Sequence, residues 1–329
     1  MEGLQINLKQ PVLSRVFRSI SERMPSQACR GAEALASILE GVYRSPWQEV
    51  AWAFSPLTGD GFPVEFAFSS QDETVRYTAE AAGPETAPIL RLKTAETLME
   101  KIGAGPLPEK QRILFGEIQE AGTPSLEYGV WIGGRHDLKN DRYKLYIEIP
   151  DPAPPAANEL VCSLLGSPQP LSTRRVKLRM IGFEPHSSRM EIYFGTEYLE
   201  PWEVGAVLRR VGLHSRTSDL LDFIGEVYGR PFRETLPGAK HGFSFSLSPG
   251  GGEAAASVFM IARSLGGGDG SIRKRLLWLA RRMGWGFLNY SILSKPLEKR
   301  DEWRTYHGMV AFIVSLKGPP ILHIGLRPV

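Results

Sequence analysis

Five times along the chain, two stretches of alternating apolar and polar residues flank a short turn. The pairs are Phe62–Ser70 with Glu73–Ala81, Leu126–Arg135 with Arg142–Pro150, Val176–Phe183 with Arg189–Gly195, His241–Ser248 with Ala255–Arg263, and Tyr306–Leu316 with Ile321–Arg327. Period-two alternation on both sides of a polar turn predicts a β-hairpin, so the chain should hold five hairpins and ten antiparallel strands. Between them the apolar period lengthens to that of a helix over Ala32–Tyr43, Pro88–Ile118 (broken near Gly103–Pro108), Ala156–Leu165, Pro201–Tyr228 (broken at 212–215) and Ile272–Leu293. The hairpins begin roughly 50 to 65 residues apart, which marks a repeated supersecondary unit. Ten strands in a flat sheet would leave long open edges. Closing the sheet removes them, and helices can cover the outside. The expected class is α+β: a ten-stranded antiparallel barrel ringed by helices. The whole chain, 1–329, is expected to be one domain, with residues 1–30 as an N-terminal extension or first helix. Pro150–Pro155 and Gly266–Gly270 read as connectors between a hairpin and the next helix.

A strand packed on helices needs an apolar outer face, and this sets the register, because a one-residue slip exchanges the faces. Leu145, Ile147 and Ile149 then point outward and Lys144, Tyr146 and Glu148 inward. Met190, Ile192 and Phe194 go out, and Arg189, Glu191 and Tyr193 go in. Val176, Leu178 and Met180 go out, leaving Lys177 and Arg179 inside. Leu322, Ile324 and Leu326 go out, leaving His323 and Arg327 inside. Phe243, Phe245 and Leu247 go out, Ser244 and Ser246 in; the fourth hairpin adds Ser257, Phe259 and Ile261 to the inner face. The expected interior is polar, cationic and rich in tyrosine, where a packed interior would be aliphatic, since unpaired buried charge is costly. A bland alternative remains: two-sided strands whose polar face meets water. Aromatic rings interleaved with fixed cations suit an anionic ligand that carries an organic cation.

Composition narrows the classes. With 39 basic and 36 acidic residues the net charge is +3, too weak to argue for nucleic acid. No apolar run reaches the length of a membrane span, and the N-terminus lacks the apolar core of a signal peptide, so a cytoplasmic location is expected. Two cysteines, Cys29 and Cys162, make neither a disulfide framework nor a four-thiolate metal site. The six histidines have no ligand spacing. The glycines at 250–252 sit in a hairpin turn and those at 266–270 lack the Lys-Ser/Thr of a phosphate loop. The basic face around Arg273-Lys274-Arg275 and Arg281-Arg282 reads as solvated, and no GxSxG elbow exists.

Three stretches are more specific. Ser55-Pro56-Leu57-Thr58-Gly59-Asp60-Gly61-Phe62-Pro63-Val64-Glu65-Phe66, with Arg76 eleven residues after Glu65, resembles the start of the barrel in the dimethylallyltryptophan synthase family. Tyr143-Lys144-Leu145-Tyr146 resembles that family's Lys-x-Tyr strand, and Arg189-Met190-Glu191-Ile192-Tyr193 its Arg-x-Lys-x-Tyr strand. These aromatic prenyltransferases have the ABBA fold, repeated α-β-β-α units closing a ten-stranded barrel. The likeness in organisation runs from about residue 30 to the end.

The resemblance implies an enzyme that moves a dimethylallyl or geranyl group from an allylic diphosphate to an indole-type acceptor: a tryptophan derivative, an indole alkaloid or a tryptophan-containing peptide. It implies no cofactor and no essential metal. Instead of an aspartate cluster holding Mg²⁺, lysine and arginine would neutralise the leaving group. Arg76, Lys144 and Arg189 take the diphosphate positions by resemblance; Lys177, Arg179, His323 and Arg327 join them by register. Tyr146 and Tyr193 would shield the allylic cation, and Glu65 would accept the indole N–H. Glu191 stands where the family has lysine, and is expected to pair with Arg189 or to contact a cationic acceptor. Trp131 stands where a basic residue is common; with Phe259 and Glu191 it completes the expected acceptor and prenyl pocket. The fourth hairpin has no Gln-x-Tyr, a thinner shield that fits a bulkier donor. Expected partners are the diphosphate donor and an aromatic small molecule or peptide, without nucleic acid or membrane, in a monomer or weak dimer. Two alternatives stay open: a prenyltransferase for phenols, phenazines or another peptide side chain, and a non-catalytic barrel binding a small hydrophobic anion.

Overall fold

The computed structural model describes residues 8–121, 126–229, 231–232, 234–238, 240–251 and 253–329. The first seven residues of the N-terminal extension and Gly252 of the fourth hairpin turn lie outside the described residues. The alternating stretches form ten strands: β1 (Val64–Ser69), β2 (Val75–Glu80), β3 (Val130–His136), β4 (Asp141–Glu148), β5 (Lys177–Glu184), β6 (Arg189–Thr196), β7 (His241–Leu247), β8 (Ala255–Ile261), β9 (His307–Ser315) and β10 (Ile321–Leu326). Each pairs antiparallel with its neighbours in the chain, and β1 pairs with β10 to close the barrel, Phe66 opposite Leu326 and Phe68 opposite Ile324. One end carries the five hairpin turns and the other the connections to helices. We call these the hairpin side and the helix side.

The helices are α1 (Pro11–Ser21), α2 (Pro25–Ile38), α3 (Glu40–Arg44), α4 (Gln48–Ala51), α5 (Arg91–Lys101), α6 (Glu109–Glu120), α7 (Pro155–Leu165), α8 (Pro201–Arg209), α9 (Thr217–Tyr228), α10 (Asp269–Met283) and α11 (Leu288–Leu293). Local chemistry sets several ends. Pro25 opens α2 at its first position, where a missing N–H is harmless, so the helix expected from Ala32 starts about two turns earlier. Glu200 and Glu203 form a reciprocal capping box on α8. The helix expected over Ile272–Leu293 is two, because Gly284 takes a left-handed backbone (φ 70°) that ends α10. Among the described residues no helix is long and apolar enough to cross a membrane.

The main core lies between the outer face of the barrel and the helices, not inside the barrel. Phe17 of α1 meets Phe66 of β1 edge-on at 5.6 Å, Phe115 of α6 meets Phe183 of β5 at 5.7 Å, and Phe223 of α9 meets Phe312 of β9 at 5.8 Å. These contacts are spread around the circumference. Burying each ring contributes roughly 1.5–3 kcal/mol, so the outward apolar residues are committed to the helices and most polar strand residues are left inside, while β8 and β9 also turn Phe259, Ile261, Met309 and Ile313 to the cavity.

One register differs from expectation. β5 carries a bulge between Leu178 and Met180: Leu178 sits opposite Phe194, but Met180 is opposite Tyr193. The extra residue flips the alternation. Met180, expected outside, faces the cavity, and Ile181 and Phe183 are buried under the helices. Ile181→Ala should therefore destabilise the fold by about 2–5 kcal/mol, as a core truncation does, and Met180→Ala by less than about 1 kcal/mol. Urea unfolding of both variants checks the order; the reverse order would restore the unbroken register.

Candidate functional site

The barrel interior is a cavity of about 1070 Å³, open enough to admit ligands and continuous at the hairpin side with a mouth of about 660 Å³. Its chemistry is layered along the barrel axis.

Four arginines and four carboxylates, Asp72, Glu184, Glu191 and Glu253, line the hairpin-side mouth. Arg76 enters from β2, Arg135 from β3, Arg142 from β4 and Arg189 from β6, while Lys144 of β4 lies deeper in the cavity. Asp72, in the first hairpin turn, takes Arg76 in a two-pronged ion pair at 2.7 and 2.8 Å and Arg135 at 3.0 Å. Arg76 also lies 3.1 Å from Nε2 of His323. A guanidinium can only donate, so this nitrogen accepts and the ring proton sits on Nδ1. Burial, reinforced by the charge of Arg76, pushes the His323 pKa down to about 3. His323 is therefore neutral and orients Arg76 rather than adding charge. Arg189 meets only neutral oxygens, Ser246 Oγ at 2.6 Å, Ser248 Oγ at 3.4 Å and the Glu253 carbonyl at 3.5 Å. Among the described residues it has no carboxylate partner, which leaves its charge free for an anion.

Below this ring the cavity is aromatic. Tyr146 and Tyr193 lie 6.1 Å apart, and Phe259 is 6.2 Å from Tyr193. Lys144 reaches over both tyrosine faces, 5.0 and 5.4 Å from the ring centres, and ion-pairs with Glu191. Glu191 thus pairs with Lys144, not with Arg189 as expected. Burial opposes both charges, but each holds the other ionised: the Lys144 pKa is raised and that of Glu191 lowered.

Glu65 of β1 faces the same cavity nearer the helix side. Gly308 and Gly325, on β9 and β10, back its carboxylate: a Cβ at either position would collide with it. Among the described residues no hydrogen-bond donor or cation partners the Glu65 carboxylate. Burial alone pushes its pKa up to about 8. Close by, Trp131 donates its indole N–H to Glu80 at 2.9 Å and stacks on Tyr128 at 3.7 Å. Glu80 is buried, ion-paired with Arg91 at 2.9 Å and bonded by Ser55 at 2.6 Å. Trp131 is thereby a fixed wall.

The interior brings together Glu65, Arg76, Lys144, Arg189, Tyr146, Tyr193, Trp131, Phe259, Glu191 and His323. Three expected residues lie elsewhere. Lys177 starts β5 at the helix-side rim and is drawn outward by Asp151 at 2.6 Å, 57% exposed. Arg179 sits at the bulge and lies exposed across Gly195 at that rim. Arg327 follows the last strand, pairs with Asp60 at 2.9 Å and covers the rings of Phe62 and Tyr306. Each is on an inner-parity position of a strand end that has already left the cavity. Conversely, Arg135 and Arg142 were missed, although they share the parity of Trp131 and Lys144. Asp72 was also missed because a turn residue carries no distinctive pattern, whereas Ser244 and Ser257 lie on the inner face as their parity predicts.

Comparison with known proteins yields the fold. No family model matches the sequence, and no curated protein matches it. Solved structures do. The 6-dimethylallyltryptophan synthase from Micromonospora olivasterospora, determined in complex with DMASPP and Trp, superposes with a TM-score of 0.76 at 17% identity, over 96% of both chains. The 5-dimethylallyl tryptophan synthase from Streptomyces coelicolor, also in complex with DMASPP and Trp, gives 0.73 at 14% identity over 96% of this chain and 93% of its own. AnaPT from Neosartorya fischeri gives 0.64 at 14% identity, over 96% and 92%. The closed barrel with its ring of helices is thus the ABBA fold of these proteins, as the hairpin repeat and the resemblance both predicted.

Half-buried in the cavity wall, Glu65 ties the stability of the fold to pH. Its folded pKa of about 8 exceeds the ordinary value of 4.5, so the folded chain holds this proton where the unfolded chain has lost it. Stability contributed by the neutral form is complete below the ordinary carboxyl range and is lost as pH rises toward 8. Glu65→Gln should therefore gain in melting temperature relative to the wild type as pH rises from 5 to 9. A difference that does not change with pH would place Glu65 in contact with bulk water.

Proposed function

We propose that this chain is an aromatic prenyltransferase that moves a dimethylallyl or geranyl group from its diphosphate to an indole-type acceptor. The observation that carries the reading is the Glu65 carboxylate, without a partner among the described residues, in one cavity with Lys144 and a mouth of four arginines, with tyrosine faces between them. A barrel that merely bound a hydrophobic anion would gain nothing from a buried free acid beside its ligand. The resemblance of the Lys-x-Tyr and Glu65–Arg76 stretches and the shared fold point the same way. The whole chain, 1–329, acts in this reading as one catalytic unit, as a monomer or weak dimer in the cytoplasm.

The chemistry follows from the layers. Arg76, Lys144 and Arg189, with Arg135 and Arg142 beside them, hold the diphosphate. As the bond between the allylic carbon and its oxygen breaks, the electron pair leaves with the diphosphate and fixed positive charge stabilises it. The allylic cation forms against Tyr146, Tyr193 and Phe259, whose π faces stabilise it and exclude water. The indole lies toward Trp131 and donates its N–H to Glu65. A ring carbon attacks the cation, forming the new carbon–carbon bond. Glu65 offsets the positive charge that develops on the indole, and transfer of the proton from the attacked carbon to the released diphosphate restores aromaticity.

Glu65 must be ionised for this role. With indoles as acceptors, kcat/KM should rise with pH to a plateau above about 8, the pKa that burial gives the free enzyme. Glu65→Gln should slow turnover by about 10²–10⁴-fold and abolish that acidic limb. Steady-state kinetics with dimethylallyl diphosphate and tryptophan across pH 6–9 tests both. A Gln variant with normal turnover would leave the passive barrel as the better reading.

The cations of the mouth can stabilise a diphosphate directly, as Mg²⁺ would. Prenyl transfer should consequently persist in excess EDTA within a few-fold of its rate. Complete loss on chelation, restored by Mg²⁺, would show that the arginines and Lys144 do not suffice.

A further inference from the structure

A carboxylate sits inside what the geometry otherwise makes an anion site, and its contacts show what it does. Glu191 (β6) and Lys144 (β4) are two strands apart, with β5 between them. The lysine stem crosses at Gly182, where a Cβ would overlap Lys144 Cε. Any side chain at 182 would bar this path. At its end the ammonium meets the Glu191 carboxylate and the Tyr193 hydroxyl, the latter at 3.1 Å. Ser244 donates to the other Glu191 oxygen, and Ser244 and Ser257 are bonded to each other at 2.7 Å. The carboxylate is therefore anchored to the far wall, and it is the lysine that reaches.

The ammonium consequently rests over the faces of Tyr146 and Tyr193, the positive-charge cage of the site. A cation already occupies the place where an allylic cation would form. Arg189 and the other arginines stay at the mouth; Lys144 alone among the interior cations is withdrawn onto the tyrosines.

We infer that Glu191 is an internal competitor for the donor: it holds Lys144 in the tyrosine cage, and the diphosphate must take the lysine from it. This rests on the proposed function for the identity of the anion. Once Lys144 turns to the diphosphate, two things happen together. The cage is vacated for the prenyl chain, and the Glu191 carboxylate is left beside the tyrosines, where its negative charge favours the allylic cation. The ion pair thus ties opening of the prenyl pocket to capture of the diphosphate, at the expense of donor affinity. A donor whose diphosphate cannot reach Lys144 would leave the cage filled.

The test is binding of inorganic pyrophosphate to the full chain by calorimetry, which needs no turnover. Glu191→Gln keeps size and hydrogen bonding but releases Lys144, and should bind pyrophosphate at least tenfold more tightly than the wild type. In a Lys144→Met background the same substitution should gain little, because there is no lysine to release. Glu191→Asp shortens the carboxylate away from Lys144 while keeping its charge, and should bind more tightly than the wild type by a smaller factor. It serves if the Gln variant melts early. Thiolated dimethylallyl diphosphate should show the same order, while Glu191→Gln lowers kcat as the cation loses its counter-charge. If the wild type binds pyrophosphate and neither Glu191 variant binds it better, the competitor role is wrong and the prenyltransferase reading stands. If the gain is equally large without Lys144, Glu191 acts by simple repulsion and the proposal fails. If no form binds pyrophosphate, both this inference and the diphosphate site fall.

Discussion

The pairing of β1 with β10 decides what the interior can be. Phe66 opposite Leu326 and Phe68 opposite Ile324 close the ring, so no strand edge is left. With the edges gone, each strand has only two faces to allocate. Helices cover the outside through contacts such as Phe17–Phe66 and Phe223–Phe312, which take the outward apolar residues of the strands. The inner face therefore need not carry the core. It is free to hold charge, provided each charge finds a partner within the barrel or a ligand.

The inner side chains show how that freedom is used. Arg76 and Arg135 share Asp72, Lys144 has Glu191, Trp131 has Glu80, and Glu80 has Arg91. These pairs fix side chains that would otherwise have many rotamers, and a fixed dipole or charge needs no reorganisation during a reaction. Among the described residues, Arg189 at the mouth and Glu65 deeper in the cavity stand outside this scheme. They are of opposite sign and face the same space. A substrate pair consisting of a diphosphate and an N–H donor matches them in sign and in order along the axis.

Most of this was legible from alternation, because the helical cover forces a strict outward apolar face. Phe243, Phe245, Ile192 and Leu145 all obey it, and the inner positions of Lys144, Tyr146, Arg189, Tyr193 and Glu65 follow by parity alone. The failures have two physical sources. A bulge is a local event with no compositional mark, and one extra residue at Leu178–Met180 reversed Met180 and displaced Arg179. Parity also cannot tell where a strand leaves the cavity. Lys177 and Arg327 keep inner parity at strand ends but are captured by Asp151 and Asp60 in neighbouring connections. The same argument explains why Arg135 and Arg142 were overlooked: the motif resemblance did not cover them, although parity would have found both.

Glycines on the inner face carry the remaining information. Gly308 and Gly325 clear the space of the Glu65 carboxylate, Gly182 lets Lys144 cross β5, and Gly242 lies under the ring of Phe259. In a strand, glycine sacrifices packing and propensity. Here each one faces a large side chain arriving from another strand. Several of the long inner side chains are thus laid over a glycine on a nearby strand, and cavity shape depends on these pairs as well as on the groups that line it. Enlarging one such glycine would move its partner without touching the partner's chemistry. The sequence shows the long residues by their charge and the glycines only as weak points in a strand, so which residue lies over which becomes visible only once the register is known.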